Sequence, residues 1–268
     1  IGNVEHNSIL VRYSNDFSIW DLESVNHYKD QSDIFFTCHE FSYNKIAEAY
    51  EPYLGLIRQM FHRYCSGTLE EFMEECDVYK LQRPVFESYF ENGFCERTEQ
   101  ILIDEVEYEQ ERMRNSIVTM LQRLSEIRPV VIVLNRFQLA SKSTMQLTNR
   151  LLQTKNKNIG IVLGVNDVQS IPEFAHEEWD AICESMDDRN MVYHIGNAGR
   201  NMEPDVMDYY SDYESDDGYR KLNNLVYFLD FDQADHHLSK IERRIKFDNF
   251  TISEKKHYQL LLLQIMVS

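Results

Sequence analysis

Polar residues directly follow two uninterrupted apolar runs, and their types limit the chemistry that they can perform. Asn135, Arg136 and Gln138 follow the run VVIVL, and Asn166 follows the run IGIVLGV. Open α/β sheets bind ligands just beyond the carboxyl ends of their strands. An amide oxygen is a weak ligand for Mg²⁺, however, and a guanidinium cannot act as a base. These residues therefore predict either an altered site for an anion or a protein, or the remains of a lost site.

Other arrangements that could carry chemistry do not have the required spacing. The acidic residues from Asp212 to Asp217 do not fit a calcium-binding EF-hand loop, because Gly218 is misplaced and no Glu occupies the twelfth position. His236 and His237 are neighbours, so on a helix they face different directions and do not form a joint metal site. The sequence contains no G-x-S-x-G nucleophile motif. No metal site and no hydrolase centre is predicted.

The hydrophobic pattern predicts the elements that position the polar residues. Runs rich in β-branched and aromatic residues predict strands at 7–13, 33–38, 130–134, 159–165 and 191–195. Helical spacing predicts helices at 17–28, 45–65, 68–80, 84–90, 100–127, 143–153, 219–228, 231–245 and 253–267. The initial strand, helix and strand, and the fully apolar central runs, predict an α/β domain with a mostly parallel sheet.

An acidic segment suggests where this domain ends. Residues 203–218 contain seven acidic residues and no basic residue, a composition that favours a solvated linker. We expect an α/β domain over 1–202, the linker, and the start of a helical-repeat array over 219–268. The chain begins at Ile1 without a methionine and stops within a helical pattern, so we expect it to be a fragment of a longer protein.

Charge and cysteine content limit the partners and the compartment. The 268 residues include 45 acidic and 27 basic side chains, giving a net charge of -18. Such a surface repels nucleic acid and anionic membranes unless basic residues are segregated, and no basic patch is visible. The five cysteines form no C-x-x-C pair, and no apolar run approaches the roughly 20 residues of a membrane span. We expect a reduced, cytoplasmic protein with no membrane segment.

The segment 129–167, PVVIVLNRFQLASKSTMQLTNRLLQTKNKNIGIVLGVND, resembles the Walker B to sensor 1 region of STAND-type AAA+ ATPases, P-loop NTPases of bacterial signalling proteins and cyclases. In that family an apolar strand ends in two acidic residues, followed by a Leu-Gln-Trp-Ala-Asp run, a Ser, a helix and a second apolar strand. Here the layout is retained from Leu134 through Ser143 to Asn166, the sensor-like position. Residues 36–61 are similar to the family's preceding strand and helix, and the last 50 or so residues resemble tetratricopeptide-like helices.

The residues that such an ATPase needs for chemistry are missing. A phosphate loop requires glycines and a Gly-Lys pair, and this chain contains no Gly-Lys pair. The corresponding segment is SNDFSIWDL, which contains Asp16, Ser18 and Asp21. The two aspartate carboxylates would repel a triphosphate. The Walker B acids are replaced by Asn135 and Arg136. A phosphate loop upstream of Ile1 is the alternative, although the strand, helix and strand of residues 7–38 already occupy its place.

The resemblance and these losses together predict a pseudo-ATPase. We expect a non-catalytic regulatory or scaffolding module in bacterial signal transduction, which contacts protein partners or other domains of its own chain. The resemblance implies an output domain elsewhere, such as a nucleotide cyclase, a GGDEF-type diguanylate cyclase or a DNA-binding module. No cofactor and no metal is expected. The alternative is a switch NTPase that binds ATP and magnesium through an atypical phosphate loop.

Overall fold

The structure is a computed structural model of the chain. It describes residues 8–13, 33–42, 45–95, 106–154, 156–166, 171, 173–189, 191–195 and 216–242, with side chains of the last segment described from 220 to 237. The predicted helices 17–28 and 253–267 lie outside these residues, as do most of the acidic segment and the positions Asp16, Ser18 and Asp21.

Five parallel strands form one sheet at the centre of the described structure. They are β1 (Ser8–Tyr13), β2 (Phe35–Glu40), β3 (Val130–Asn135), β4 (Ile159–Asn166) and β5 (Val192–Ile195). The strands lie in the order β2-β3-β4-β1-β5, and every neighbouring pair is parallel. The predicted α/β class and all five predicted strands are confirmed, because short apolar runs buried under helices are a strong local signal for parallel strands.

Eight α-helices are present in the described residues. They are α1 (Tyr53–Tyr64), α2 (Leu69–Glu75), α3 (Arg83–Asn92), α4 (Val106–Ile127), α5 (Lys142–Gln153), α6 (His176–Asp187), α7 (Asp216–Tyr227) and α8 (Phe231–Glu242). A short 3-10 turn, Phe137–Leu139, follows β3, and a second, Glu173–Ala175, precedes α6.

The prediction of a helix over 45–65 is wrong in its first part. Helix α1 begins only at Tyr53, after the cap residue Pro52, and Tyr50 has a positive φ of 54°. A residue that precedes proline is pushed out of the helical region, so helical backbone cannot run through Glu51. The predicted helix 68–80 is likewise too long, since α2 ends at Glu75.

Helix α6 was not predicted from the sequence. Its buried residues Trp179, Ile182 and Met186 have the i, i+3 and i+7 spacing of a helix face, which was the signal available. The helix is the connection between β4 and β5, and the guanidinium of Arg12 on β1 reaches the Cys183 sulfur at 3.3 Å.

One large hydrophobic cluster joins the sheet to its helices. Strand residues such as Leu10, Ile132 and Leu163 are fully buried in it, together with α1 and α4. The opposite face of the sheet carries a smaller cluster around Val133, which is also fully buried. In the part of the chain that the structure describes, no helix has both the length and the apolar content to cross a membrane.

The helix pair α7 and α8 packs into the same large cluster. Phe228, in the turn between the two helices, is fully buried against Tyr50, Phe86 and Tyr89, with ring centroids 5.6 to 6.2 Å apart. Helix α7 begins at Asp216, so the last residues of the predicted linker are helical. The division of the chain into domains and the continuation as a repeat array remain predictions.

Candidate functional site

The last residues of four adjacent strands converge at the carboxyl edge of the sheet. Tyr13 ends β1, Glu40 ends β2, Asn135 ends β3 and Asn166 ends β4. The register pairs Tyr13 with Asn166, and Glu40 with Asn135. With two residues that follow β3, they form what we name the carboxyl-edge cluster, which consists of Tyr13, Glu40, Asn135, Arg136, Gln138 and Asn166.

A buried hydrogen bond joins the ends of two strands that are not neighbours. The Tyr13 hydroxyl donates to the Asn135 Oδ1 atom at 2.7 Å, and both residues are 3% exposed. Strand β4 lies between β1 and β3, so the tyrosine side chain spans about 9–10 Å of sheet to reach its acceptor. Burial raises the pKa of Tyr13, although the nearby Arg136 opposes this, and the hydroxyl remains a proton donor at neutral pH.

Arg136 is held in a conformation that is unusual for an arginine. Its φ of 53° and ψ of 42° lie in the left-handed region, which costs an L-residue roughly 1–2 kcal/mol. The side chain forms an ion pair with Glu40, with 3.3 Å between Nε and Oε1, and both side chains are 41% exposed. The turn that follows is anchored by Phe137, which is fully buried beside Trp179 and Phe41. Packing of Phe137 therefore supports the strained residue that precedes it.

Gln138 connects the turn after β3 to the end of β4. The side chain is 1% exposed, and its Oε1 atom accepts a hydrogen bond from the backbone N–H of Asn166 at 3.4 Å. This hydrogen bond fixes the backbone at the end of β4 and satisfies the buried side-chain carbonyl oxygen of Gln138. Gln138 therefore acts in this structure as a link between two strand ends.

His39, one residue before the end of β2, lies beside the cluster. Its Nε2 atom is 3.4 Å from the Glu51 Oε1 atom, and its ring packs edge-on against Phe41 with centroids 4.5 Å apart. Burial and the nearby Lys45 lower the pKa of His39 from 6.5 to about 4, and the Glu40 carboxylate opposes this shift only in part. His39 is therefore neutral at physiological pH.

The carboxyl-edge cluster is a set of polar groups that pair with one another. Its one carboxylate, Glu40, is paired with its one guanidinium, and the buried Asn135 amide oxygen accepts a hydrogen bond from Tyr13. Among the described residues, no three or more His, Cys, Asp or Glu side chains are grouped so that they could hold a metal ion. The groups present can donate and accept hydrogen bonds.

The sequence prediction identified only part of this site. The structure brings together Asn135, Arg136, Gln138 and Asn166, as the strand ends suggested. Tyr13 and Glu40 were missed. Each of them is the last residue of its strand. Because the carboxyl ends of parallel strands meet at one edge of a sheet, the position of these residues at strand ends was the signal that could have identified them.

A second concentration of polar groups lies where α7 and α8 meet the rest of the structure, and we name it the helix-pair seam. The Asp230 carboxylate accepts a hydrogen bond at 3.0 Å from the backbone N–H of Ser143, in the first turn of α5. Asn224 accepts from the Cys95 N–H and donates to the Glu48 Oε2 atom, both at 2.8 Å. The seam consists of Glu48, Cys95, Ser143, Asn224 and Asp230.

Burial distinguishes the seam from an ordinary surface contact. Asp230 is 4% exposed and Asn224 is 2% exposed. Burial raises the pKa of Asp230, although the hydrogen bonds from Ser143 and Gln233 partly oppose this. The neighbouring Lys142 ammonium forms an ion pair with Asp232, with 2.6 Å between Nζ and Oδ2.

Comparison with known proteins gives no family, relative or structural neighbour for this chain. No protein-family model matches it, and neither a curated protein nor a solved structure shows significant similarity.

Proposed function

We propose that this chain is a non-catalytic regulatory or scaffolding module of a larger bacterial signalling protein. In this proposal its α/β part is a P-loop NTPase-like domain of the STAND branch of AAA+ proteins that has lost nucleotide chemistry. The helices that follow start a tetratricopeptide-like array. The proposal places the module in the cytoplasm, with protein partners or other domains of its own chain, and without nucleic acid, metal or cofactor.

The hydrogen bond between Tyr13 and Asn135 carries this proposal. In an active ATPase of this type, the residue at the end of the third strand holds magnesium through a carboxylate. Here that position is an amide whose oxygen is buried and already accepts the Tyr13 hydroxyl at 2.7 Å. Magnesium prefers charged oxygen ligands and does not easily give up water for an engaged amide. A metal at this position would exchange a bound water for a neutral, buried amide oxygen, which is a poorer ligand than a carboxylate.

The adjacent position supports the same conclusion. Arg136 occupies the place of the acid that would activate water, and its pairing with Glu40 neutralises the one carboxylate of the cluster. A guanidinium cannot accept a proton in a protein. Neither Asn135 nor Arg136 therefore supplies a metal-binding carboxylate or a base, and the internal pairing of the cluster holds the strand ends together.

Titration with nucleotide tests the proposal directly. Thermal unfolding and isothermal calorimetry would be measured with ATP and with ADP, each with and without Mg²⁺, up to millimolar nucleotide. A ligand at a hundredfold excess over its Kd raises stability by roughly 2.7 kcal/mol, so binding would be easily detected. We expect no shift in the melting temperature and no heat of binding.

The Tyr13→Phe variant provides the matched comparison for this titration. It removes the hydroxyl and frees the Asn135 amide, while the aromatic ring remains in place. We expect this variant also to bind no nucleotide, because no carboxylate takes over the magnesium site. A saturable, magnesium-dependent shift in the native protein would contradict the proposal and favour the switch NTPase with an atypical phosphate loop. Loss of that shift in Arg136→Gln would then identify the cation that contacts phosphate.

A further inference from the structure

We draw no further inference here: the strongest candidate, the surface patch of the exposed Tyr79 and Tyr108 rings where the turn before α3 meets the first turn of α4, already holds the Arg112 guanidinium between its two rings, and nothing in the described part of the chain shows what covers it.

Discussion

The carboxyl-edge cluster and the helix-pair seam use similar side chains in different surroundings. In the seam, Asn224 and Asp230 are almost completely buried, and their hydrogen bonds go mainly to backbone groups of other segments. At the carboxyl edge, the ion pair between Arg136 and Glu40 is half exposed and only the Tyr13 hydrogen bond is buried. Polar pairing in the seam holds together segments distant along the chain, whereas at the edge it joins the ends of strands of one sheet.

The two sets of polar contacts should also differ in how much they contribute to the free energy of unfolding. Backbone groups of the seam would be left buried and unsatisfied if the side chain of Asn224 or Asp230 were truncated, and a buried unsatisfied group costs about 1–3 kcal/mol. The exposed ion pair at the edge can exchange its partner for water, so it contributes at most about 1 kcal/mol. The seam should therefore determine global stability, and the carboxyl edge should influence it locally.

The largest effect is expected from truncation of the aromatic residue next to the seam. Phe228→Ala removes a fully buried ring that contacts Tyr50, Phe86 and Tyr89, and should lower the free energy of unfolding by about 3–5 kcal/mol. Urea unfolding followed by circular dichroism measures this loss. Tyr193→Ala on β5 is the control, since its side chain is 53% exposed and its loss should cost under about 0.5 kcal/mol. A small effect of Phe228→Ala would mean that the helix pair unfolds separately from the sheet.

The next effect is a pH dependence that arises at the carboxyl edge. The pKa of His39 is about 4 in the folded protein and 6.5 when unperturbed, so between these values the unfolded chain binds a proton that the folded protein does not. Stability should therefore fall as the pH decreases from 6.5 to 4, by up to about 3 kcal/mol from this residue. Melting temperatures of the native protein and His39→Gln would be compared from pH 7 to pH 4.5. Identical pH profiles would show that His39 is not buried as the structure describes.

The smallest effect concerns the strained backbone of Arg136. Arg136→Gly and Arg136→Ala both remove the ion pair with Glu40, but only glycine adopts a φ of 53° without a steric cost. The glycine variant should therefore be more stable than the alanine variant by about 1 kcal/mol. Equilibrium unfolding of the two variants in parallel measures this difference. An alanine variant of equal or greater stability would show that the left-handed conformation is not maintained at this position.

Much of the sheet could be predicted from the sequence because its signals are local. The runs VVIVL and IGIVLGV are apolar throughout, as strands covered on both faces must be. Helix starts were predicted less well. The helical spacing of apolar residues extends to both sides of Pro52, but the helix itself begins only at Tyr53. Helix α6 was missed although Trp179, Ile182 and Met186 share one helix face.

The candidate site could be predicted only where its residues follow an obvious strand. Asn135 ends β3, Arg136 and Gln138 follow it closely, and Asn166 ends β4. Tyr13 and Glu40 end strands whose positions in the sheet were unknown, because the order β2-β3-β4-β1-β5 cannot be deduced from the order of strands along the chain. Only that order makes β1 a neighbour of β4 and brings the Tyr13 hydroxyl within reach of Asn135.

The sequence by itself therefore determined the α/β class, the positions of the strands, the acidic charge, and the absence of a Gly-Lys phosphate loop from these 268 residues. Each of these depends on residue types or on spacings of a few positions. The tertiary structure decided the contact of Tyr13 with Asn135, 122 positions away, and that of Asp230 with Ser143, 87 positions away. Such contacts depend on strand order and helix packing, which are properties of the whole folded chain and leave no local pattern in the sequence.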